Sequence, residues 1–213
     1  MKKILIAIAL LSLMASCQNN SNTNEQTPAE TTAAADNTEK NTWNGYTKVK
    51  AMDIERNAVT LVAKDWMLIT AGNETSFNTM TASWGALGEL WAKPVFISFV
   101  RESRYTHQFI EANDHYTLCF FDEEYREKLQ LLGSKSGRDT DKIKESGLTP
   151  VATPKGSMAF EEASMIIECK KLYSAPFLPE EFDDKEIFTS IYSGHESSMH
   201  TQYIGQIVNV WVK

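Results

Sequence analysis

The sequence is short of cysteine, of basic clusters and of long apolar runs, and each shortage removes a class of protein. Only three cysteines occur in 213 residues, with no Cys-x-x-Cys pair, so neither a thioredoxin-like dithiol nor a zinc ribbon is supported. Acidic residues outnumber basic ones, 28 to 21, for a formal charge of −7. An acidic chain without a basic tract is unsuited to coating phosphate backbones, which excludes a nucleic-acid partner. Beyond the N-terminus no apolar run approaches the ~20 residues of a spanning helix, which excludes a polytopic membrane protein. Familiar catalytic signatures are missing too. His195 and His200 bracket Glu196, but five positions apart they lie about 140° around a helix and cannot share one metal face. Gly133-Ser-Lys-Ser-Gly137 lacks the spacing of a phosphate-binding loop, and Gly85-Ala-Leu-Gly88 is half a dinucleotide fingerprint. No Gly-x-Ser-x-Gly elbow is present. What is there is the balance of an ordinary globular chain, 42% hydrophobic and 23% charged, long enough for one sizeable core.

The N-terminus reads as an address. Lys2 and Lys3 precede an apolar run from Ile4 to Met14, then come Ala15, Ser16 and Cys17. Such a run is too short to span a bilayer and ends at small residues, as a secretory signal peptide does. Leu13-Met-Ala-Ser-Cys17 resembles the lipobox of bacterial lipoproteins, which implies lipidation at Cys17 after removal of residues 1–16; the alternative is a plain signal peptide. Loss of Lys2 and Lys3 would take the charge from −7 to −9. Residues 17–42 then form a polar tether, rich in Asn, Thr, Ala, Gln, Glu and Ser, whose side chains cannot offset the entropy of ordering. A coil of about 25 residues reaches roughly 25–30 Å, enough to hold a domain off a membrane. The folded domain is expected over residues 43–213.

Within that domain strand signals dominate, at Trp66–Thr70, Met80–Trp84, Pro94–Val100, Tyr116–Phe121, Ala163–Lys170 and Tyr203–Val212. In the last, Ile204, Val208, Val210 and Val212 fall on one face at period two. Helices are expected over Arg104–Asn113, over Glu123–Leu132 with Gly133 as its stop, and over Asp139–Glu145. There is no internal repeat and no strand–helix alternation, so the expected fold is mainly β, an antiparallel barrel with flanking helices. Cys119 and Cys169 sit in strand-like apolar runs and read as buried thiols, although an oxidising compartment would permit them to pair.

Two segments carry chemistry. Asn78-Thr-Met-Thr-Ala-Ser-Trp-Gly-Ala-Leu-Gly88 gathers small and hydroxyl residues at a strand end, where a flat ring can lie close to the backbone and bond its N–H groups. Arg101-Glu-Ser-Arg-Tyr-Thr106 leaves the most apolar strand and enters a helix. Arginines, hydroxyls and free N–H groups at a helix start are the ingredients of a phosphate site. Each segment has a plainer reading, an ordinary turn for the first and a solvated cap for the second.

Taken in order, Leu68-Ile-Thr-Ala-Gly72, Met80-Thr-Ala-Ser-Trp-Gly85, Lys93-Pro-Val-Phe-Ile-Ser98 and Arg101-Glu-Ser-Arg-Tyr-Thr106 resemble the flavin reductase-like family, in its flavoredoxin-type members. Ser136-Gly-Arg-Asp-Thr-Asp-Lys142 and His200-Thr-Gln-Tyr-Ile-Gly-Gln206 agree, and the likeness covers roughly residues 47–213. The resemblance implies a split β-barrel that binds FMN, with FAD second, and works as a homodimer. It implies redox chemistry in which electrons pass from a reduced donor, NADH or NADPH in many relatives, through a non-covalent flavin to an acceptor. Thr81, Ala82, Ser83, Trp84 and Gly85 are then expected along the flavin ring, with Trp84 either stacked on it or walling its pocket. Arg101, Ser103, Arg104, Tyr105 and Thr106 are expected at the phosphate, with Lys135, Ser136 and Arg138 as the alternative, and His200 near the flavin or its donor. An exported protein meets little soluble nicotinamide, so the donor stays open. The expected setting is a lipid-anchored oxidoreductase on a bacterial membrane, the outer one for choice. A flavin carrier without turnover, or a barrel that no longer holds the cofactor, are the alternatives.

Overall fold

A computed structural model describes residues 41–213, so the expected signal peptide, Cys17 and nearly all of the expected tether lie outside the described residues. In chain order the elements are β1 (Thr42–Trp43), β2 (Tyr46–Val49), α1 (Ala58–Thr60, running on as a π-helix over Leu61–Asp65), β3 (Met67–Asn73), β4 (Ser76–Ala82), β5 (Gly85–Leu90) and β6 (Lys93–Arg101). Then follow α2 (Tyr105–Ala112), β7 (His115–Phe120), α3 (Arg126–Ser134), α4 (Lys142–Ser146), β8 (Pro150–Ala152), β9 (Met158–Phe160), β10 (Met165–Pro176), α5 (Lys185–Tyr192) and β11 (His200–Val212).

Nine strands form one antiparallel sheet in the order β1-β2-β11-β10-β7-β3-β4, and β6 joins it on β11 with β5 outside it. The 13-residue β11 explains the curl. One of its edges pairs with β10 along nearly its whole length, while the other takes β6 over His200–Gln206 and β2 over Val210–Val212. A strand serving two partners on one edge splits the sheet, and the mainly β, antiparallel split-barrel expectation is met.

Strands β3, β7 and β10 are apolar at consecutive positions because they are covered on both faces. Met67, Ile69, Leu118, Phe120, Met165 and Ile167 point into the barrel core with Phe96, Tyr203 and Ile207. Their neighbours Leu68, Cys119 and Ile166 point outward, onto Leu129 and Leu132 of α3 and Phe160 of the β8–β9 hairpin. Side chains alternate along a strand, so two cores demand an unbroken apolar run. Cys119 and Cys169 fall on opposite faces by this alternation, and both are free buried thiols. Burial pushes Cys119 up to about 12, so it is chemically quiet.

Four expectations need correcting. Trp66 does not begin the first strand; its φ of 63° closes the π-helix, and β3 starts at Met67. Gly133 does not stop α3 but lies in its last turn, where an added Cβ would sit 3.1 Å from Thr81 Cβ. Met80–Trp84 is not one strand, because β4 ends at Ala82 and the chain turns through Ser83 and Trp84 into β5. The period-two face of β11 breaks at Val208, the extra residue of a bulge opposite Glu168 and Cys169. Tyr203 and Ile207 face the core before it, and Val210 and Val212 after it. One inserted residue moves the inward face from odd to even positions.

Candidate functional site

Three depressions meet around the end of β4. The first, about 320 Å³, lies between the start of α2 and the loop joining α3 to α4, walled by Ser103, Arg104, Tyr105, Thr106, Lys135, Ser136, Arg138 and Lys142 with Asn78 and Met80 beneath. The second, about 170 Å³, shares Met80 and continues along Thr81, Ala82, Ser83 and Trp84 to Phe99 and His200. The third, about 450 Å³, lies on the other side of Thr81–Ser83, against Trp66, Leu129 and Gly133. The two sets offered by sequence as alternative phosphate sites are therefore the two walls of one cavity.

The cavity is built from interlocked donors. Arg104 precedes α2, and its Nη2 donates to the Gly133 carbonyl at 2.6 Å, tying the start of α2 to the end of α3. Burial, with Arg101 nearby, lowers the Arg104 guanidinium from its usual range. Thr106 is fully buried and its hydroxyl accepts from Asn78 Nδ2 at 2.7 Å, leaving the O–H free to donate elsewhere. Arg138 Nη1 donates to the Ser103 carbonyl at 3.0 Å, and its guanidinium lies 4.9 Å from the Tyr105 ring centre. Lys142 is 2% exposed, its Nζ donating to the Leu132 and Lys135 carbonyls at 2.9 and 3.0 Å. Burial, helped by the Arg104 charge, brings it down to about 8. Asn78 and Lys142 belong to stretches that sequence reasoning quoted without assigning them a role; their burial, which no local pattern announces, is what places them here.

Arg101 and Gly85 stand apart from this arrangement. Arg101 does not line the cavity: its Nη2 donates to the Ile191 carbonyl at 3.2 Å, and its guanidinium lies 5.4 Å from the Tyr192 ring centre. Gly85 does not line the ring groove either. A Cβ there would meet the Phe96 ring at 2.7 Å and the Ile97 carbonyl at 2.9 Å, so the residue is glycine for close packing on β6.

In the groove, Trp84 is 43% exposed and its ring leans on His200 with ring centres 4.9 Å apart. His200 Nδ1 lies 2.8 Å from the Tyr192 hydroxyl. Burial, then the charges of Arg101 and Arg104, push His200 down to about 4, so the imidazole is neutral at physiological pH. Tyr192 belongs to α5, a helix that went unread in the sequence. Its signals are ordinary ones, an Asp184 N-cap accepting from Glu186 and Ile187 N–H groups and an apolar set at Ile187, Phe188, Ile191 and Tyr192.

A cationic cavity opening into a narrow groove at the edge of a split barrel is what these residues build. The chain belongs to the family described as the flavin reductase like domain, whose model matches residues 59–213. No curated protein matches the sequence. Among solved structures it is similar to the flavoredoxin of Desulfovibrio vulgaris (Miyazaki F), at 24% identity and TM-score 0.54 over 70% of this chain and 69% of that one. An FMN-binding domain of a flavin reductases-like enzyme from Shewanella baltica OS155 gives TM-score 0.57 at 15% identity, over 78% and 76%. An FMN-binding protein from Thermus thermophilus with bound 1-cyclohex-2-enone gives 0.53 at 21%, over 69% of each chain. At these identities the likeness is one of fold.

Proposed function

We propose that this protein binds FMN non-covalently and passes electrons from a reduced donor through it to an acceptor. The observation that carries the reading is the cavity itself. In a protein of net charge −7, the walls of a 320 Å³ cavity bring together Arg104, Arg138 and Lys142, with Lys135 paired to Glu145, against the carboxylate of Asp139. A phosphate monoester of about −1.5 to −2 charges suits that surplus, and the hydroxyls of Ser103, Thr106 and Ser136 fill further acceptor sites. The adjoining grooves around Thr81–Trp84 offer flat walls to a ring. Bound there, the flavin would supply the redox chemistry; the chain anchors it, shields it from water and sets its hydrogen bonds.

FMN suits the surroundings better than FAD. Beside the phosphate cavity lies a further cavity of about 500 Å³ whose walls carry Glu74, Asp139 and Asp141 together with Arg138 and Lys142, a balance with no positive surplus for a second phosphate. Membership in the family and the FMN-binding proteins among the structural neighbours support the same choice. NADH and NADPH are the donors to test first, although an exported protein would need another. A homodimer is part of the proposal, since Trp84, Trp91, Ile187 and Ile191 leave large apolar surfaces in solvent that a second copy would cover. So is a lipid anchor at Cys17 on the outer membrane, which rests on the lipobox resemblance.

A visible spectrum of the purified protein titrated with FMN tests the central claim, and anaerobic mixing of the loaded protein with NADH or NADPH then tests turnover. A free-flavin spectrum at micromolar protein and FMN would remove the cofactor; bound flavin that no nicotinamide reduces would leave an electron carrier. Globomycin treatment or Cys17→Ser should change the mature mass and release the protein from membranes, and an unchanged mass would leave only a plain signal peptide.

A further inference from the structure

We propose that Tyr192 is a positioning residue for the ring groove, its hydroxyl donating to His200 Nδ1 so that the imidazole presents an Nε2–H donor to a carbonyl edge of the bound ring. The inference rests on the flavin reading of the groove and goes beyond it to a residue in α5. Tyr192 is 2% exposed, and among the described residues its hydroxyl has one hydrogen-bond partner, His200 Nδ1 at 2.8 Å. Burial raises the phenol above its usual range, so it keeps its proton. A buried O–H needs an acceptor, and Nδ1 is the one within reach. With the roles reversed, Nδ1–H would donate and the phenol hydrogen would be stranded. The tautomer follows, since a neutral imidazole accepting at Nδ1 carries its hydrogen on Nε2.

His200 Nε2 has no hydrogen-bond partner among the described residues, while the imidazole lines the groove beside Met80, Thr81 and Ser83 and leans on Trp84. The environment that keeps His200 neutral makes it a hydrogen-bond donor rather than a source of protons at neutral pH. The ligand edge it suits is a carbonyl oxygen, which a flavin ring carries. Tyr192 is held in turn by a run of aromatic contacts. Phe177 packs on Phe99 at 5.3 Å, Phe182 on Phe177 at 5.9 Å, and Phe182 on Tyr192 at 5.7 Å between ring centres. Arg101, which its sequence neighbours suggested for a phosphate, instead pins this end of α5 through the Ile191 carbonyl.

The test combines histidine tautomer measurement by ¹⁵N NMR at pH 7 with the affinity for lumiflavin, a ring without phosphate. Wild-type His200 should be the Nε2–H tautomer, and Tyr192→Phe should give a mixture of tautomers and weaken lumiflavin about three- to tenfold, the worth of one neutral hydrogen bond. His200→Gln keeps an amide donor with no tautomer to set, so adding Tyr192→Phe to it should cost no further affinity. Equal losses in both backgrounds would mean that Tyr192 only packs, and an Nδ1–H tautomer in the wild type would overturn the proposal without any variant. Should the wild type bind neither lumiflavin nor FMN, the flavin reading falls, while the tautomer of His200 in wild type and variant still decides what Tyr192 does.

Discussion

At the scale of single residues, the cavity makes two predictions that separate phosphate recognition from ring recognition. Arg104 faces the 320 Å³ cavity proposed for the phosphate and is held there by the Gly133 carbonyl. A charged hydrogen bond contributes about 1.5–3 kcal/mol, roughly ten- to a hundredfold in affinity. Arg104→Ala should therefore weaken FMN at least several-fold and riboflavin, which lacks the phosphate, much less, as read by fluorescence titration. Equal weakening of both would assign the arginine to the fold. Lys142 adds a pH dependence. With its ammonium brought down to about 8, it is charged at pH 7 and loses its proton as pH rises through 8, so FMN affinity should fall above pH 8 while riboflavin affinity stays level. Lys142→Met should flatten the FMN profile. His200 acts on stability in the opposite range. Its folded value of about 4 lies below the unfolded value of 6.5, so the unfolded chain binds the extra proton between them. Stability should then fall as pH drops from about 6.5 towards 4, and His200→Asn should lessen that loss in urea titrations.

Strands and helices show where pattern reading succeeds and where it stops. Five of the six strands and the three helices expected from sequence exist, with shifted ends, and Met80–Trp84 overlaps only the end of β4; their signals are local ones: apolar runs, turn residues and amphipathic faces. The β5 strand was missed because Gly85-Ala-Leu-Gly-Glu-Leu90 has no apolar alternation; pairing with β6 makes it a strand. The bulge at Val208 is likewise invisible locally. Near it Glu168, fully buried, accepts from Thr153 and from Asn209 Nδ2 at 2.7 Å, so the irregular register comes with a satisfied polar contact between β10, β11 and the end of the β8–β9 hairpin. At Gly205 the strand passes so close to β7 and β10 that a Cβ would lie 2.4 Å from the Tyr116 hydroxyl and 2.8 Å from Cys169 Cβ. Gly205→Ala should cost about 1–3 kcal/mol by overpacking, read as a lower urea midpoint with the same slope. An unchanged midpoint would mean that the barrel interior yields there.

For the whole molecule, the described residues 41–213 supply nine strands of one sheet, and the Asn41 carbonyl already accepts from the Lys48 N–H at 2.8 Å. A chain starting at Asn41 should keep the full-length thermal midpoint within error; a drop of many degrees would show that the preceding residues pack on the barrel. Composition and local pattern by themselves determined the predominance of strands, the likeness to a family and the two stretches that flank the cavity, because each is written in contiguous residues. Only the tertiary structure decided that Arg104 and Lys135–Arg138 wall one cavity, that Arg101 turns away to α5, and that Lys142 and Tyr192 belong beside the site. Those facts depend on which strand pairs with which and on where the chain returns after 35 or 90 positions, as in the bonds from Arg138 to Ser103 and from Arg101 to Ile191. A side chain's neighbours across such distances are set by the packing of both cores, and no local stretch of sequence contains that information.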